Sequence, residues 1–146
     1  MLVIYQVTLP SNLSFPVDLD LRIPAAAGAP NAVAARQPDH VAVVLGDVEM
    51  RWRDLEARAA CLAAALGSLD VGTGDKVAQL LYNCPEYLES TFAAFKVRSS
   101  TVNVNYRYLD DELVYLLDNA DAEALVFHSS LRSEENTSEL QSRLHL

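Results

Sequence analysis

Basic residues are scarce in this chain: 11 Lys and Arg stand against 20 Asp and Glu, a formal net charge of −9. A phosphate-backbone binder needs clustered Lys and Arg, so this balance excludes a nucleic-acid partner, while acidity by itself serves solubility. Cysteine is nearly absent. Cys61 and Cys84 make no metal or redox motif at their spacing, and both read as small buried apolar residues of a reducing compartment. The histidines, His40, His128 and His145, have no zinc spacing, so no metal site is expected. Of the glycines, Gly72 and Gly74 lack the third member of a dinucleotide fingerprint. They also precede their strand instead of following one, so a plain turn is expected there. No apolar run approaches the ~18 residues of a spanning helix, and residues 1–10 carry no basic leader region; a soluble, cytoplasmic protein is the expectation.

What is present is one domain's worth of chain, 146 residues with 51% hydrophobic and 21% charged content, which is enough to bury a real core. Its organising stretch is Val71-Gly72-Thr73-Gly74-Asp75-Lys76-Val77-Ala78-Gln79-Leu80-Leu81-Tyr82-Asn83-Cys84-Pro85-Glu86-Tyr87. A glycine turn is followed by an apolar run without alternation, then by a helix start with Pro85 in the first turn and Glu86 at the favourable end of the dipole. A strand apolar on both faces belongs in a parallel sheet with helical cover.

Before that stretch, Val17, Leu19, Leu21 and Ile23 alternate with charged residues as an edge strand would, with Pro10, Pro16 and Pro24 breaking the region. Residues 30–36 read as a short helix that stops where Gln37 precedes Pro38. Two apolar runs, 41–45 and 48–51, flank Gly46-Asp47, a hairpin signal. Trp52, Leu55, Ala59, Leu62, Leu66 and Leu69 then mark one face of a helix running through Gly67.

After the central strand, Leu88, Phe92 and Phe95 are expected to line the inner face of a helix, with Lys96 and Arg98 at its C-terminal dipole. Residues 101–105 form a second strand. A third helix is capped by Asp110, carries Leu113, Leu116 and Leu117, and closes at Asn119 as a left-handed residue. Residues 124–128 form a third strand. The whole is α/β, part of a parallel-stranded βαβαβ sheet with helices on its faces, preceded by a β-hairpin.

Ligands of open parallel sheets gather beyond the carboxyl ends of the strands. Asn83, Asn105, Arg107 and His128 stand there. Arg107 suits an anionic group and His128 offers an imidazole able to exchange a proton. The structural alternative is that Asn83 caps a helix, Arg107 braces a loop and His128 ends a strand. No catalytic constellation is found. Asp110, Asp111 and Glu112 are adjacent acids at a helix start, and Ser129-Ser130 has no nucleophile-elbow context. Asn12-Leu13-Ser14 fits a glycosylation pattern with nothing else pointing to secretion.

From residue 38 to 131 the chain resembles the N-terminal portion of an adenylate-forming enzyme of the acyl-CoA synthetase group. The carrying pieces are Pro38-Asp39-His40-Val41-Ala42-Val43, the Gly46-Asp47 hairpin, Val71-Gly72-Thr73-Gly74-Asp75-Lys76-Val77-Ala78 and Asn83-Cys84-Pro85-Glu86-Tyr87-Leu88. Val102-Asn103-Val104-Asn105-Tyr106-Arg107-Tyr108 and Asp111-Glu112-Leu113-Val114-Tyr115-Leu116-Leu117 complete them, and the Val-Asn-Val-Asn-Tyr-Arg run is most similar to bacterial fatty-acyl members. The resemblance implies a parent that activates a fatty or other carboxylic acid with ATP and Mg²⁺ to an acyl-adenylate, then transfers it to CoA. The family's phosphate loop, adenine-binding aromatic segment, ribose-binding Asp and C-terminal lysine do not occur in these 146 residues, so no catalytic or cofactor-binding residue carries over.

Departures accompany the match: Arg51 replaces a capping Ser or Thr, Asp70 stands at a helix-ending Gly, and Arg98-Ser99-Ser100-Thr101 replaces a Gly-Ala-Val-Pro-like lead into the second strand. Residues 132–142 resemble a translated sequencing adapter. The expected division is therefore an N-terminal extension over 1–30, the synthetase portion over 31–131 and a non-native or disordered tail over 132–146. An inactive N-terminal piece of a synthetase is the leading expectation, with no cofactor of its own. A stand-alone small-ligand module and a non-enzymatic interaction domain are the alternatives.

Overall fold

The computed structural model describes residues 3–7 and 28–131. The alternating 17–23 segment and the adapter-like tail lie outside them. In chain order the elements are β1 (Val3–Val7), α1 (Gly28–Arg36), β2 (Val41–Leu45), β3 (Val48–Arg51), α2 (Trp52–Ser68) and β4 (Lys76–Leu80). Then come α3 (Pro85–Lys96), β5 (Ser100–Asn103), α4 (Asp110–Asn119), β6 (Ala122–His128) and a short 3₁₀ turn, Ser129–Leu131.

The expected architecture is present. β4 is central, pairing in parallel with β5 on one side and β6 on the other, and β2 and β3 form the antiparallel hairpin. Gly46 alone has positive φ in that two-residue turn (+59°), the pattern of a II′ connection. β1 adds a fourth parallel strand beside β6, giving the order β1-β6-β4-β5. The sequence reading contained no strand at that position.

Side chains alternate across this sheet to build two cores. Val77, Ala124 and Val126 meet Ala63 and Leu66 of α2 and Ala93 and Ala94 of α3. Ala78, Leu125 and Phe127 meet Leu113 and Leu117 of α4 on the opposite face. Val77, Ala78 and Gln79 are fully buried, as a strand covered on both faces requires.

One expectation is reversed. Leu88 and Phe95 of α3 are 36% and 48% exposed and Phe92 is half-buried, whereas Glu89, Ser90, Ala93, Ala94 and Lys96 are buried. Ala93 and Ala94 let α3 approach α2 and the sheet closely, and the polar groups beside them are paired. Arg58 Nε stands 2.6 Å from Glu89 Oε1, and Lys96 Nζ meets Glu56 Oε1. Lys96 therefore turns inward instead of decorating the helix end.

The helix ends explain the three sequence departures. Arg51 is the N-cap of α2 and makes no side-chain cap; instead the Trp52 and Arg53 N–H groups donate to the carbonyls of His40 (3.0 Å) and Pro38 (3.1 Å). At the other end Asp70 takes φ +61°, its N–H donating to Gly67 O and that of Val71 to Leu66 O, a Schellman closure without glycine. Arg98 does the same for α3 at φ +64°. On α4 the left-handed residue is Asp121 (φ +48°), not Asn119, because the helix keeps its hydrogen bonding through Asn119. Likewise Leu109, not Asp110, is its N-cap, and Glu112 Oε2 accepts the Leu109 N–H at 3.0 Å.

Candidate functional site

β4, β5 and β6 all point their carboxyl ends the same way, and the segments that leave β4 and β5 bound a cleft of about 800 Å³. Tyr82 and Asn83 line it from the β4–α3 loop, Tyr87 from the first turn of α3, and Asn103, Asn105 and Tyr106 from the end of β5. α3 begins where it does because Pro85 at its first position needs no hydrogen-bond partner.

Gln79 ties this helix start to the sheet. Its Nε2 donates to Tyr87 O (3.1 Å), Ser90 Oγ (2.5 Å) and Thr91 Oγ1 (3.0 Å), entirely buried. Cys84, the N-cap, is half-buried, and burial together with Glu86 pushes its thiol up to about 11.

Aromatic contacts join the three strand ends. The Tyr82 ring lies 4.9 Å from that of Tyr106 and 5.5 Å from the His128 imidazole, which meets it edge-on. Arg107 Cζ sits 5.6 Å from the Tyr106 centroid, a cation–π distance. Asn105 Oδ1 accepts the Arg107 N–H at 3.0 Å, so its side chain shapes the turn that presents that arginine. His128 ends β6. Its Nδ1 accepts the Ser130 N–H (3.2 Å) and is 2.8 Å from Ser130 Oγ, which leaves the ring proton on Nε2. That pair closes a 3₁₀ turn, and among the described residues no third group is hydrogen-bonded to the ring to make it a nucleophile–base system.

Of the residues singled out in the sequence, Asn83 and Asn105 line the cleft, while Arg107 and His128 flank it through the tyrosines. Asn83 precedes the α3 cap and is not the cap itself. Tyr82, Tyr87, Asn103 and Tyr106 belong to the same cleft, and the position of Tyr82 and Tyr106 directly beyond a strand was the signal for them. Among the described residues no three His, Cys, Asp or Glu side chains converge as a metal site. None of their helices is long and apolar enough to cross a membrane.

The profile of the AMP-binding enzyme family matches residues 31–145. The 3-oxocholest-4-en-26-oate–CoA ligase of Rhodococcus rhodochrous is 42% identical over 89 residues, 61% of this chain and 16% of that protein. The medium-chain acyl-CoA ligase Mig of Mycobacterium avium is 36% identical over 121 residues, 74% of this chain and 22% of its own length. Among solved structures, a Rhodopseudomonas palustris chain described as a long-chain-fatty-acid CoA ligase superposes with a TM-score of 0.69 at 31% identity. The superposition covers 78% of this chain and 28% of that one. The chain thus spans 16%, 22% and 28% of these three proteins.

Proposed function

Given that this chain belongs to the AMP-binding enzyme family, we propose that it is the N-terminal part of an ATP-dependent acyl-CoA synthetase. The parent joins a fatty or related carboxylic acid to CoA through an acyl-adenylate, using ATP and Mg²⁺. The observation that carries this reading is the identity of 42% to a 3-oxocholest-4-en-26-oate–CoA ligase and of 36% to a medium-chain acyl-CoA ligase. By itself the 146-residue chain is inactive: the family's phosphate loop and catalytic lysine are not in its sequence. The described residues accordingly serve as scaffold and as one wall of a ligand cleft. Asn83 and Asn105 face the ligand, and Arg107 and His128 stand beside it with Arg107 available to an anion. A cytoplasmic location fits this chemistry.

Two measurements test it. Incubating the purified chain with ATP, Mg²⁺ and a medium-chain fatty acid is expected to release no pyrophosphate, and release would overturn the inactivity. Reading the source gene past the codon for Leu131 is expected to show an open frame continuing into a Gly-rich phosphate loop; a natural stop there would overturn the synthetase parentage. The cleft also supports a second reading, a stand-alone small-ligand module. Saturable CoA or nucleotide binding by this chain, weakened by Arg107→Ala, would favour it.

A further inference from the structure

The geometry points to the outer edge of β6 as a strand-accepting site whose ligand is an extended peptide, held in cis by the chain's own residues 3–7 and replaceable in trans by the same sequence. The two sides of the β6-β4-β5 core sheet are built differently. β5 is four residues long with Ser100 and Asn103 exposed, a short polar strand of the kind that resists edge-to-edge pairing. β6 has seven residues, of which Ala124, Leu125, Val126 and Phe127 are consecutive, apolar and buried. A run of that kind suits an interior strand with a neighbour on each side. β4 is one neighbour. Without the other, alternate N–H and C=O groups of β6 would face outward beside apolar side chains, an open template for another chain.

Residues 3–7 supply the second neighbour. They run parallel to β6 in unbroken register, from Val3 beside Ala124 to Val7 beside His128. This strand lies outside the family-matched portion, which begins at residue 31, and residues 8–27 separate it from α1. It joins the sheet through one strand only, as the terminal member of the order β1-β6-β4-β5. A short strand at the end of a long connection, hydrogen-bonded along one side, binds as a peptide added to a sheet edge does, through its main chain. The covalent tether raises its local concentration, so the cis strand outcompetes a free peptide of the same sequence.

The test uses the 146-residue chain and a synthetic peptide of residues 1–9. Adjacent residues of a strand turn their N–H groups to opposite sides, so Ile4→Pro together with Tyr5→Pro removes a donor to β6 whichever of the two bears it. In that double variant, alternate amides over 124–128 are expected to lose hydrogen-exchange protection, and the added peptide to restore it by saturable binding. The unmodified chain is expected to bind the peptide at least about tenfold more weakly, because its own strand holds the edge. A peptide with proline at the same two positions should bind neither. Equal binding to both chains, no binding, or protection that the substitutions leave intact would overturn the proposal. A second measurement leaves β1 free of proline: Val7→Cys with His128→Cys, in a Cys61→Ala, Cys84→Ala background, is expected to give an intrachain disulfide on mild oxidation. A disulfide between chains would make a second copy the occupant, and none at all would remove residues 3–7 from the edge; either result overturns the assignment.

Discussion

Arg98 holds its backbone at φ +64° with a side chain that gives no local help in that conformation. Asp70 and Asp121 do the same work more easily, since a short polar side chain tolerates the left-handed region. Arg98→Gly is therefore expected to raise stability by about 0.5–1 kcal/mol, relief of backbone strain exceeding the extra entropy of glycine in the unfolded chain. Asp70→Gly should gain less. Urea midpoints at unchanged m-value measure both, and a loss on Arg98→Gly would contradict the Schellman assignment.

Cys84 makes a second prediction at this scale. With its thiol moved from 9.0 to about 11, the thiolate is about a hundredfold scarcer near neutrality, partly offset by the greater nucleophilicity of a more basic sulfur. In a Cys61→Ala background, iodoacetamide should alkylate Cys84 about tenfold more slowly at pH 8 in the folded chain than in urea. Because the unfolded thiol ionises first, this group's contribution to stability is present below pH 9.0 and is lost as pH rises through about 11.

Between elements, polar pairing decides the packing. Gln79 offers two amide protons to three oxygens on α3, and its own Oε1 is buried with no hydrogen-bond partner. Ser90 and Thr91 keep Tyr87 O as an acceptor without it. Gln79→Met is accordingly expected to cost only about 1 kcal/mol, whereas Gln79→Glu buries a charge and costs more than about 3 kcal/mol at pH 7. The Glu variant should recover stability on acidification, as its carboxyl takes up a proton. Thermal melts across pH read both effects.

On the α2–α3 seam, burial raises Glu89 above its ordinary 4.5, against the opposing pull of Arg58. Its contribution to stability is full below 4.5 and fades as pH rises through the raised value. Glu89→Gln should remove that slope from the stability–pH curve, and an unchanged slope would assign it to another group.

For the whole molecule, the reversed face of α3 has a consequence. Leu88, Phe92 and Phe95 form an apolar stripe at helical spacing on the side away from the core, and β1 and β5 stand at the edges of the sheet. Self-association of the isolated chain is expected, opposed by its net charge of −9. Light scattering should show a mass that rises with concentration. The double substitution Leu88→Gln and Phe95→Gln should reduce that rise without lowering the melting temperature, since neither side chain is in the core. An unchanged rise would place the sticky surface elsewhere.

Local pattern by itself determined the order and type of elements from residue 30 to 128. An unalternating apolar run flanked by glycines and proline, a two-residue turn and helical spacing are each properties of neighbouring residues. The family was legible for the same reason, in short runs such as 102–108. Sequence also marked Asn83, Asn105, Arg107 and His128, because strand ends can be located once strands are.

Only the tertiary structure decided which face of α3 turns inward. Periodicity ranks faces by the size of their apolar side chains, but Ala93 and Ala94 allow a closer approach than Phe95, and Arg58, Glu56 and Gln79, distant in sequence, satisfy the polar groups between. It alone also placed β1 beside β6 and drew Tyr82, Tyr106 and His128 into contact. Those are pairings across long separations, which no local signal encodes.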